Sequence, residues 1–145
     1  MGWLVLFPGI AKPVSLAASL SGLWLTEDQR GVIEIASCGA GLCGRIVGMA
    51  GFGAGDPAPK DFQGQPECGL EILHGIVPAD PGEWDATITN PENGSLYGAR
   101  LSLDDRGNLR LRGFLRVPLF GSALGSTQLW TGYTGNLTPE CRMLP

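Results

Sequence analysis

The sequence lacks the residue patterns by which most enzyme classes are recognised. It contains one histidine, no G-x-S-x-G motif, and no G-x-G-x-x-G or P-loop pattern that opens a helix. His74 stands between Leu73 and Gly75 without an activated serine or cysteine beside it, so we interpret it as a structural or surface residue. Asp104 and Asp105 are interpreted as hairpin-turn residues. We therefore expect no catalytic residues and no cofactor; a hydrolase would need His74, a carboxylate and an open cleft to converge.

Long hydrophobic runs and helical periodicity are also absent. The apolar run at residues 3–7 is too short for a transmembrane helix, and no ten-residue stretch of the folded region has a helical period. Charged residues make up only 17% of the chain, and the net charge of −4 disfavours nucleic acid or an anionic membrane as the main partner. We expect no integral membrane span and no nucleic-acid partner, and we favour a monomer.

We interpret the N-terminal segment as lying outside the folded domain. Residues 15–17 resemble a small-x-small cleavage site, but no Lys or Arg precedes the apolar run and two prolines interrupt it. We interpret residues 1–18 as a degenerate signal-like or disordered segment, and residues 19–145 as a single β-barrel domain.

Glycine is abundant, at 23 residues, and with 11 prolines it separates short apolar runs, as is typical of short strands joined by tight turns. Asn93-Gly94 supplies the positive φ of a hairpin turn. Gly44 and Gly48 share one face of a strand and predict close backbone approach or strong curvature. An all-β fold of eight strands closes into an antiparallel up-and-down barrel without exposed edges. The predicted strands are residues 23–26, 32–36, 42–49, 70–75, 84–89, 97–103, 109–112 and 127–133.

Four cysteines in a small chain predict two disulfides. Cys38 and Cys43 flank a loop short enough to bring their Cα atoms within bonding range, which leaves Cys68 and Cys141 as the second pair. This is the most economical of three connectivities. Zinc is the rival use of four thiols, but no C-x2-C pair is present and only one histidine. Disulfides indicate an oxidising compartment.

Inward-facing positions of the barrel form the candidate ligand-binding site. In a closed meander the first and last strands are neighbours, so Trp24 and Trp130 are expected to pack near one barrel end. The long segment 50–66 has no apolar period, and its two phenylalanines form a candidate lid. The same inward residues also fit a barrel filled by its own side chains. The candidate lining and lid residues are Trp24, Ile33, Ile35, Phe52, Phe62, Trp84, Ile88, Tyr97, Leu101, Leu111 and Trp130.

Charge is unevenly distributed along the chain. Acidic residues concentrate between residues 67 and 85, and five arginines follow within seventeen residues. We interpret this as a solvated basic face beside a solvated acidic one, with an anion site as the alternative. The five arginines are Arg100, Arg106, Arg110, Arg112 and Arg116.

Several segments together resemble the bacterial domain-of-unknown-function 2147 family, small exported proteins generally considered lipocalin-like. The resemblance covers roughly residues 20–133 in order. That family tends to carry an arginine shortly after the last-strand tryptophan, where this chain has Gly132; an arginine there would cover Trp24 by a cation–π contact. The matching segments are GLWLT at 22–26, IEIASCGAGLCGRI at 33–46, GLEIL at 69–73, Trp84 with NPENGSLY at 90–97, LRLRGF at 109–114 and GSTQLWT at 125–131.

The resemblance implies a periplasmic or secreted lipocalin-like (calycin-like) barrel and no settled activity. Our leading hypothesis is an exported, non-enzymatic barrel that binds a small apolar or amphipathic molecule in its interior. The alternative is a filled barrel that acts through its loops, as an envelope module contacting a protein or a glycan. An ordered, exposed 50–66 loop on a filled barrel would favour this alternative.

Overall fold

The computed structural model describes residues 20–113 and 127–145. Eight antiparallel strands follow one another around a closed barrel, and β8 pairs back with β1. The predicted eight-stranded up-and-down barrel is confirmed. The interpretation of residues 1–18 and of Arg116 falls outside the described residues. The strands are β1 Gly22–Leu25, β2 Gly31–Cys38, β3 Gly41–Met49, β4 Glu71–Pro78, β5 Glu83–Thr89, β6 Leu96–Leu103, β7 Leu109–Gly113 and β8 Thr127–Gly132.

Short polar side chains determine the hairpin turns. In the β5–β6 turn the carbonyl of Asn90 accepts a hydrogen bond from the Gly94 N–H at 2.7 Å, and its side-chain oxygen accepts one from the Glu92 N–H at 2.8 Å. Gly94 has φ 79°, the left-handed conformation that the Asn-Gly pattern predicts. In the β6–β7 turn the Asp104 carboxylate accepts the N–H of Asn108 at 2.8 Å. These local bonds hold the two hairpins in register.

Alternation along each strand places apolar side chains inside the barrel. In β5, Trp84, Ala86 and Ile88 are buried while Asp85 and Thr87 are exposed. All eight strands contribute to the same core. Its buried members on the other strands are Trp24, Ile33, Ile35, Leu42, Ile46, Met49, Ile72, Leu73, Ile76, Tyr97, Ala99, Leu101, Leu109, Leu111 and Trp130.

The glycines of β3 lie where neighbouring atoms leave no room for a side chain. A Cβ at Gly44 would lie 2.8 Å from Leu73 Cδ1 and 3.1 Å from Ile33 Cγ2, inside the barrel. A Cβ at Gly48 would lie 2.7 Å from Leu137 Cδ2 and 2.9 Å from Val32 Cβ. Register shifts in the β2–β3 and β3–β4 pairings accompany these close contacts. The predicted close approach at both glycines is confirmed, but the prediction that they share one face is wrong, because the register shift between Val32 and Ile33 places Gly48 opposite Val32, outside the core cluster.

The two ends of the barrel differ. At one end, which we call the closed end, Leu20 directly precedes β1 and is fully buried. Its carbonyl accepts a hydrogen bond from Trp24 Nε1 at 2.9 Å. The β2–β3, β4–β5 and β6–β7 turns lie at this same end. The opposite end, which we call the open end, carries the β1–β2 and β5–β6 turns.

The C-terminal segment is attached to the end of β3, where Arg142 forms a parallel bridge with Met49. Cys141 is disulfide-bonded to Cys68 with a Cα–Cα distance of 5.6 Å, and its carbonyl accepts the Met49 N–H at 2.7 Å. The second disulfide joins Cys38 to Cys43 across the β2–β3 hairpin, with a Cα–Cα distance of 5.8 Å. Both disulfide pairings are those predicted from the sequence. No helix among the described residues is long and apolar enough to cross a membrane.

Candidate ligand-binding site at the open end of the barrel

The open end leads into a cavity of about 370 Å³. Its floor is apolar, since four of the buried side chains that line it are aliphatic or methionine. A buried glutamine lies among them, and its side-chain oxygen accepts a hydrogen bond from Trp130 Nε1 at 3.0 Å. The floor residues are Ile33, Ile46, Met49, Ile72 and Gln128.

Among the residues that the structure describes, the rim of the cavity carries four carboxylates and one guanidinium, that of Arg30. Two of the carboxylates are held by backbone amides. Glu27 accepts the N–H of Leu129 at 2.6 Å, and Asp28 accepts the N–H of Arg30 at 3.0 Å. Asp28 also accepts the Thr26 hydroxyl at 2.7 Å. These two carboxylates therefore stabilise the rim itself.

The other two rim carboxylates, those of Glu67 and Glu92, have no hydrogen-bond or ion-pair partner within residues 20–113 and 127–145. Burial raises the pKa of the Glu67 carboxyl above its ordinary value, and the nearby charges of Glu92 and Asp61 raise it further. Unpaired and mutually repelling carboxylates beside an apolar floor form an electronegative entrance. That entrance favours a positively charged or hydrogen-bond-donating group over an anion.

Both unpaired carboxylates lie on well-anchored backbone. The N–H of Glu67 donates to the Pro59 carbonyl at 3.0 Å, and the next residue is the disulfide-bonded Cys68. Glu92 lies in the β5–β6 turn, where its N–H donates to the Asn90 side chain at 2.8 Å. The fold therefore holds the two charges at the entrance in defined positions.

The long segment that precedes β4 packs beside the open end. The Phe62 N–H donates to the Pro91 carbonyl at 2.9 Å, and its ring lies against Gly94. Phe62 is 51% exposed, whereas Phe52 is partly buried against the core. Neither of the two candidate lid residues lines the cavity.

Of the predicted barrel lining, only Ile33 borders the cavity in the part of the chain that the structure describes. The remaining barrel residues pack against one another and fill the rest of the interior, because tryptophan and tyrosine side chains occupy the volume that a deeper pocket would need. Trp84 is a special case: its Nε1 is buried without a hydrogen-bond partner among the described residues. The residues in this filled part are Trp24, Ile35, Trp84, Ile88, Tyr97, Leu101, Leu111 and Trp130.

Sequence reasoning missed most of the rim. In the sequence, Asp28 and Arg30 belong to an ordinary polar turn over residues 28–31, and Glu92 belongs to the Asn-Gly hairpin turn over residues 90–94. Glu67 belongs to the acidic cluster between residues 67 and 85, and nothing in the sequence distinguishes it from the solvated carboxylates of that cluster. The only available signal was its position directly before a disulfide-bonded cysteine.

His74 does meet a carboxylate and a hydroxyl, but on the outer wall of the barrel. Its Nδ1 lies 2.7 Å from Glu71 Oε2 and its Nε2 lies 2.7 Å from Thr89 Oγ1. None of these three residues lines the cavity. The sulfurs of Cys38 and Cys43 lie within 4.8 Å of a Glu71 oxygen, but they are joined in a disulfide, which leaves no thiolate to ligate a metal.

A closed eight-stranded meander with one filled, closed end and one end that opens onto a cavity is the architecture of the lipocalin-like barrels. The structure of this chain is similar to that of protein HP1028 from Helicobacter pylori, which is described as belonging to the lipocalin family. The TM-score is 0.62 at 15% sequence identity, over 79% of this chain and 83% of that chain. At this identity the similarity establishes the shared fold.

The chain belongs to the family described as "Uncharacterized protein conserved in bacteria (DUF2147)", whose model matches residues 22–132. The resemblance identified from the sequence is thereby confirmed. No curated protein matches the chain.

Proposed function

We propose that this protein is an exported, non-enzymatic binding protein that holds a small amphipathic molecule at the open end of its barrel. The single observation that carries the proposal is the cavity whose floor is apolar and whose rim holds two unpaired carboxylates, Glu67 and Glu92. A ligand with an apolar part and a donating or positively charged polar end complements both surfaces.

The volume of the cavity limits the size of the ligand. A space of about 370 Å³ lies at the lower end of the range typical of small-molecule sites. The filled interior below the floor restricts the ligand to the upper part of the barrel. This supports a short apolar chain or a single ring system rather than a long acyl chain that threads the whole barrel.

Export is supported by the two disulfides and by membership of a bacterial family. Structural disulfides persist in oxidising compartments such as the bacterial periplasm and are rare in the cytosol. The absence of catalysis is supported by the placement of Glu71, His74 and Thr89, the hydrogen-bonded trio on the outer wall, away from the cavity.

Binding is tested by calorimetric titration with three probes that share a decyl chain and differ in their head groups. The probes are decyltrimethylammonium, decyldimethylamine oxide and decyl sulfate, each kept below its micelle concentration. We expect the cation to bind most tightly and the sulfate most weakly. Ile46→Trp, which fills the floor of the cavity, should abolish binding, whereas Val77→Trp at an exposed position should not. Failure of all three probes to bind, or unchanged binding by Ile46→Trp, would refute the proposal.

A second candidate function has one observation in its favour. The 50–66 segment is folded back on itself, since the Asp61 carboxylate accepts the N–H groups of Gln63 at 2.9 Å and Gln65 at 2.8 Å. It presents the half-exposed ring of Phe62 beside the open end. A preformed loop with an exposed aromatic ring supports recognition of a protein or a glycan. Phe62→Ser would abolish such binding while leaving decyltrimethylammonium binding intact.

A further inference from the structure

The outer wall of the barrel carries a second concave region, on the opposite face of the sheet from the cavity. It is a groove of about 540 Å³ across strands β5 to β8. Of the described residues that line it, three are arginines, two carry hydroxyl groups, and one is acidic. They are Glu83, Arg100, Ser102, Arg110, Arg112 and Thr127.

The strand register arranges these residues as a grid. Arg112 on β7 lies opposite Arg100 on β6 and Thr127 on β8, and Arg110 lies opposite Ser102. Arg110 and Arg112 are both exposed and two residues apart, so they project from the same face of β7. Directly opposite residues on paired strands have Cβ atoms about 4.5–5.5 Å apart. Two guanidiniums and two hydroxyls therefore surround one patch of the wall.

The arginine at the edge of the groove is already neutralised. Arg100 donates from Nε to Asp85 at 2.6 Å and from Nη1 to Glu83 at 2.7 Å, and Asp80 lies 3.3 Å from the same Nη1. Glu83, the one carboxylate among the described residues of the groove, is thus occupied by Arg100. The acids on this side of the barrel are therefore engaged away from Arg110 and Arg112.

The guanidinium groups of Arg110 and Arg112 have no ion pair and no hydrogen bond with any of the described residues. The pKa of Asp104 is lowered mainly by the hydrogen bond from the Asn108 N–H, with a further one from the Arg106 N–H, and the charge of Arg110 contributes least. The chain has 14 acidic and 10 basic residues, so acidic partners outnumber basic ones. Two adjacent unpaired arginines in such a chain form a localised positive site.

We propose that this groove binds a phosphate group, with Arg110 and Arg112 as the charged donors and the hydroxyls of Ser102 and Thr127 as neutral donors. A guanidinium matches two oxygens of a phosphate at once, and hydrogen bonds between charged partners are about twice as strong as neutral ones. A tetrahedral oxyanion has enough acceptor oxygens to use both guanidiniums and the hydroxyls together. Free phosphate esters and the head groups of phospholipids share this chemistry.

The test uses the full chain and inorganic phosphate, with the arginine Nε–Hε signals of an NMR spectrum as the readout. We expect phosphate to shift the signals of Arg110 and Arg112. The Arg110→Gln/Arg112→Gln variant should bind phosphate about tenfold more weakly, equivalent to about 1.4 kcal/mol. Arg45→Gln/Arg106→Gln removes the same charge outside the groove and should bind like the parent. Equal weakening in both double variants, or no shift at Arg110 and Arg112, would overturn the proposal.

A second measurement distinguishes the two sources of the phosphate group. Co-sedimentation with vesicles of phosphatidylglycerol, compared with phosphatidylcholine, measures binding to an anionic lipid surface. If the parent protein co-sediments with phosphatidylglycerol vesicles, and this binding is lost in the Arg110→Gln/Arg112→Gln variant and competed by phosphate, the site is assigned to lipid head groups. Phosphate binding without vesicle binding assigns it to a soluble phosphate ester. Vesicle binding that the double variant retains, with no phosphate response, contradicts the proposal. Unchanged thermal unfolding of both double variants verifies that the fold is intact.

Discussion

Trp24 on the first strand lies directly opposite Gly132 on the last strand, in the pairing that closes the barrel. The indole of Trp24 points into the core and is anchored to the Leu20 carbonyl. At Gly132 an added Cβ would have no atom within 4 Å, and the backbone does not have the positive φ that favours glycine. The barrel thus closes through a tryptophan that is tightly held and a glycine that the geometry does not require.

Gly132→Ala is accordingly expected to stabilise the protein. Replacing a glycine that has ordinary backbone geometry reduces the entropy of the unfolded chain, which is worth about 0.4–1 kcal/mol. Gly44→Ala is the matched control and is expected to destabilise the protein, because the added Cβ would clash with Leu73 inside the barrel. Such overpacking costs typically about 1–3 kcal/mol. Urea unfolding of the two variants measures both values, and equal effects would show that the close approach at Gly44 is mistaken.

Two of the core tryptophans, Trp24 and Trp84, are expected to respond differently to replacement by phenylalanine. Trp24→Phe leaves the buried Leu20 carbonyl without its donor, whereas Trp84→Phe removes an indole N–H that has no partner. The cost of Trp24→Phe should therefore exceed that of Trp84→Phe by about 1–3 kcal/mol, the penalty for an unsatisfied buried polar group. Chemical denaturation gives the difference. A larger cost at Trp84 would contradict the hydrogen-bond assignment.

The carboxyl of Glu67 predicts a pH dependence of stability. Its pKa in the folded protein is raised above the ordinary value of 4.5, so the folded state binds this proton more tightly than the unfolded chain does. Its contribution to stability therefore falls as pH rises from 4.5 through the folded-state pKa, and the loss persists at neutral pH. Glu67→Gln should raise Tm at pH values above this window, and the gain should disappear in acid below it. Asp105→Asn in the exposed β6–β7 turn is the control and should lack this pH-dependent gain.

The same carboxylate predicts how ligand binding depends on pH. If Glu67 and Glu92 face the polar end of the ligand, decyltrimethylammonium binding should weaken as pH falls through the raised pKa of Glu67. Glu67→Gln/Glu92→Gln should bind the cation more weakly and decyldimethylamine oxide nearly as well as the parent. Calorimetry at two pH values tests this. Equal loss for the charged and the neutral probe would attribute the effect to the shape of the site rather than to charge.

The two disulfides are expected to contribute unequally to stability. They span sequence separations of 73 and 5 residues. Loop-closure entropy predicts a loss of about 4 kcal/mol for Cys68→Ala/Cys141→Ala and about 2 kcal/mol for Cys38→Ala/Cys43→Ala. Urea unfolding measures the two losses, and mass spectrometry of non-reduced peptides verifies the pairings in the parent. A larger loss from the hairpin disulfide would contradict this ranking.

The barrel could be predicted because its determinants are local. The alternation of Trp84, Ala86 and Ile88 with polar residues specifies a strand with one buried face, and Asn93-Gly94 specifies the hairpin that follows. Eight such units in succession have few ways to cover their edges other than closure. The cysteine pairings followed from chain proximity in one case and from elimination in the other.

The candidate site depended on relationships that no local pattern encodes. Sequence alternation identifies inward positions such as Ile33 and Trp130, but it does not determine whether the space between them is filled. That depends on how side chains from eight strands share one volume, and among the residues that the structure describes the cavity lies at the open end. Glu67 and Glu92 are far apart in the chain and ordinary in composition. Only the pairing of β4 with β5, the Cys68 disulfide and the β5–β6 turn bring their charges to one rim, because electrostatic interaction depends on distance in space and on burial.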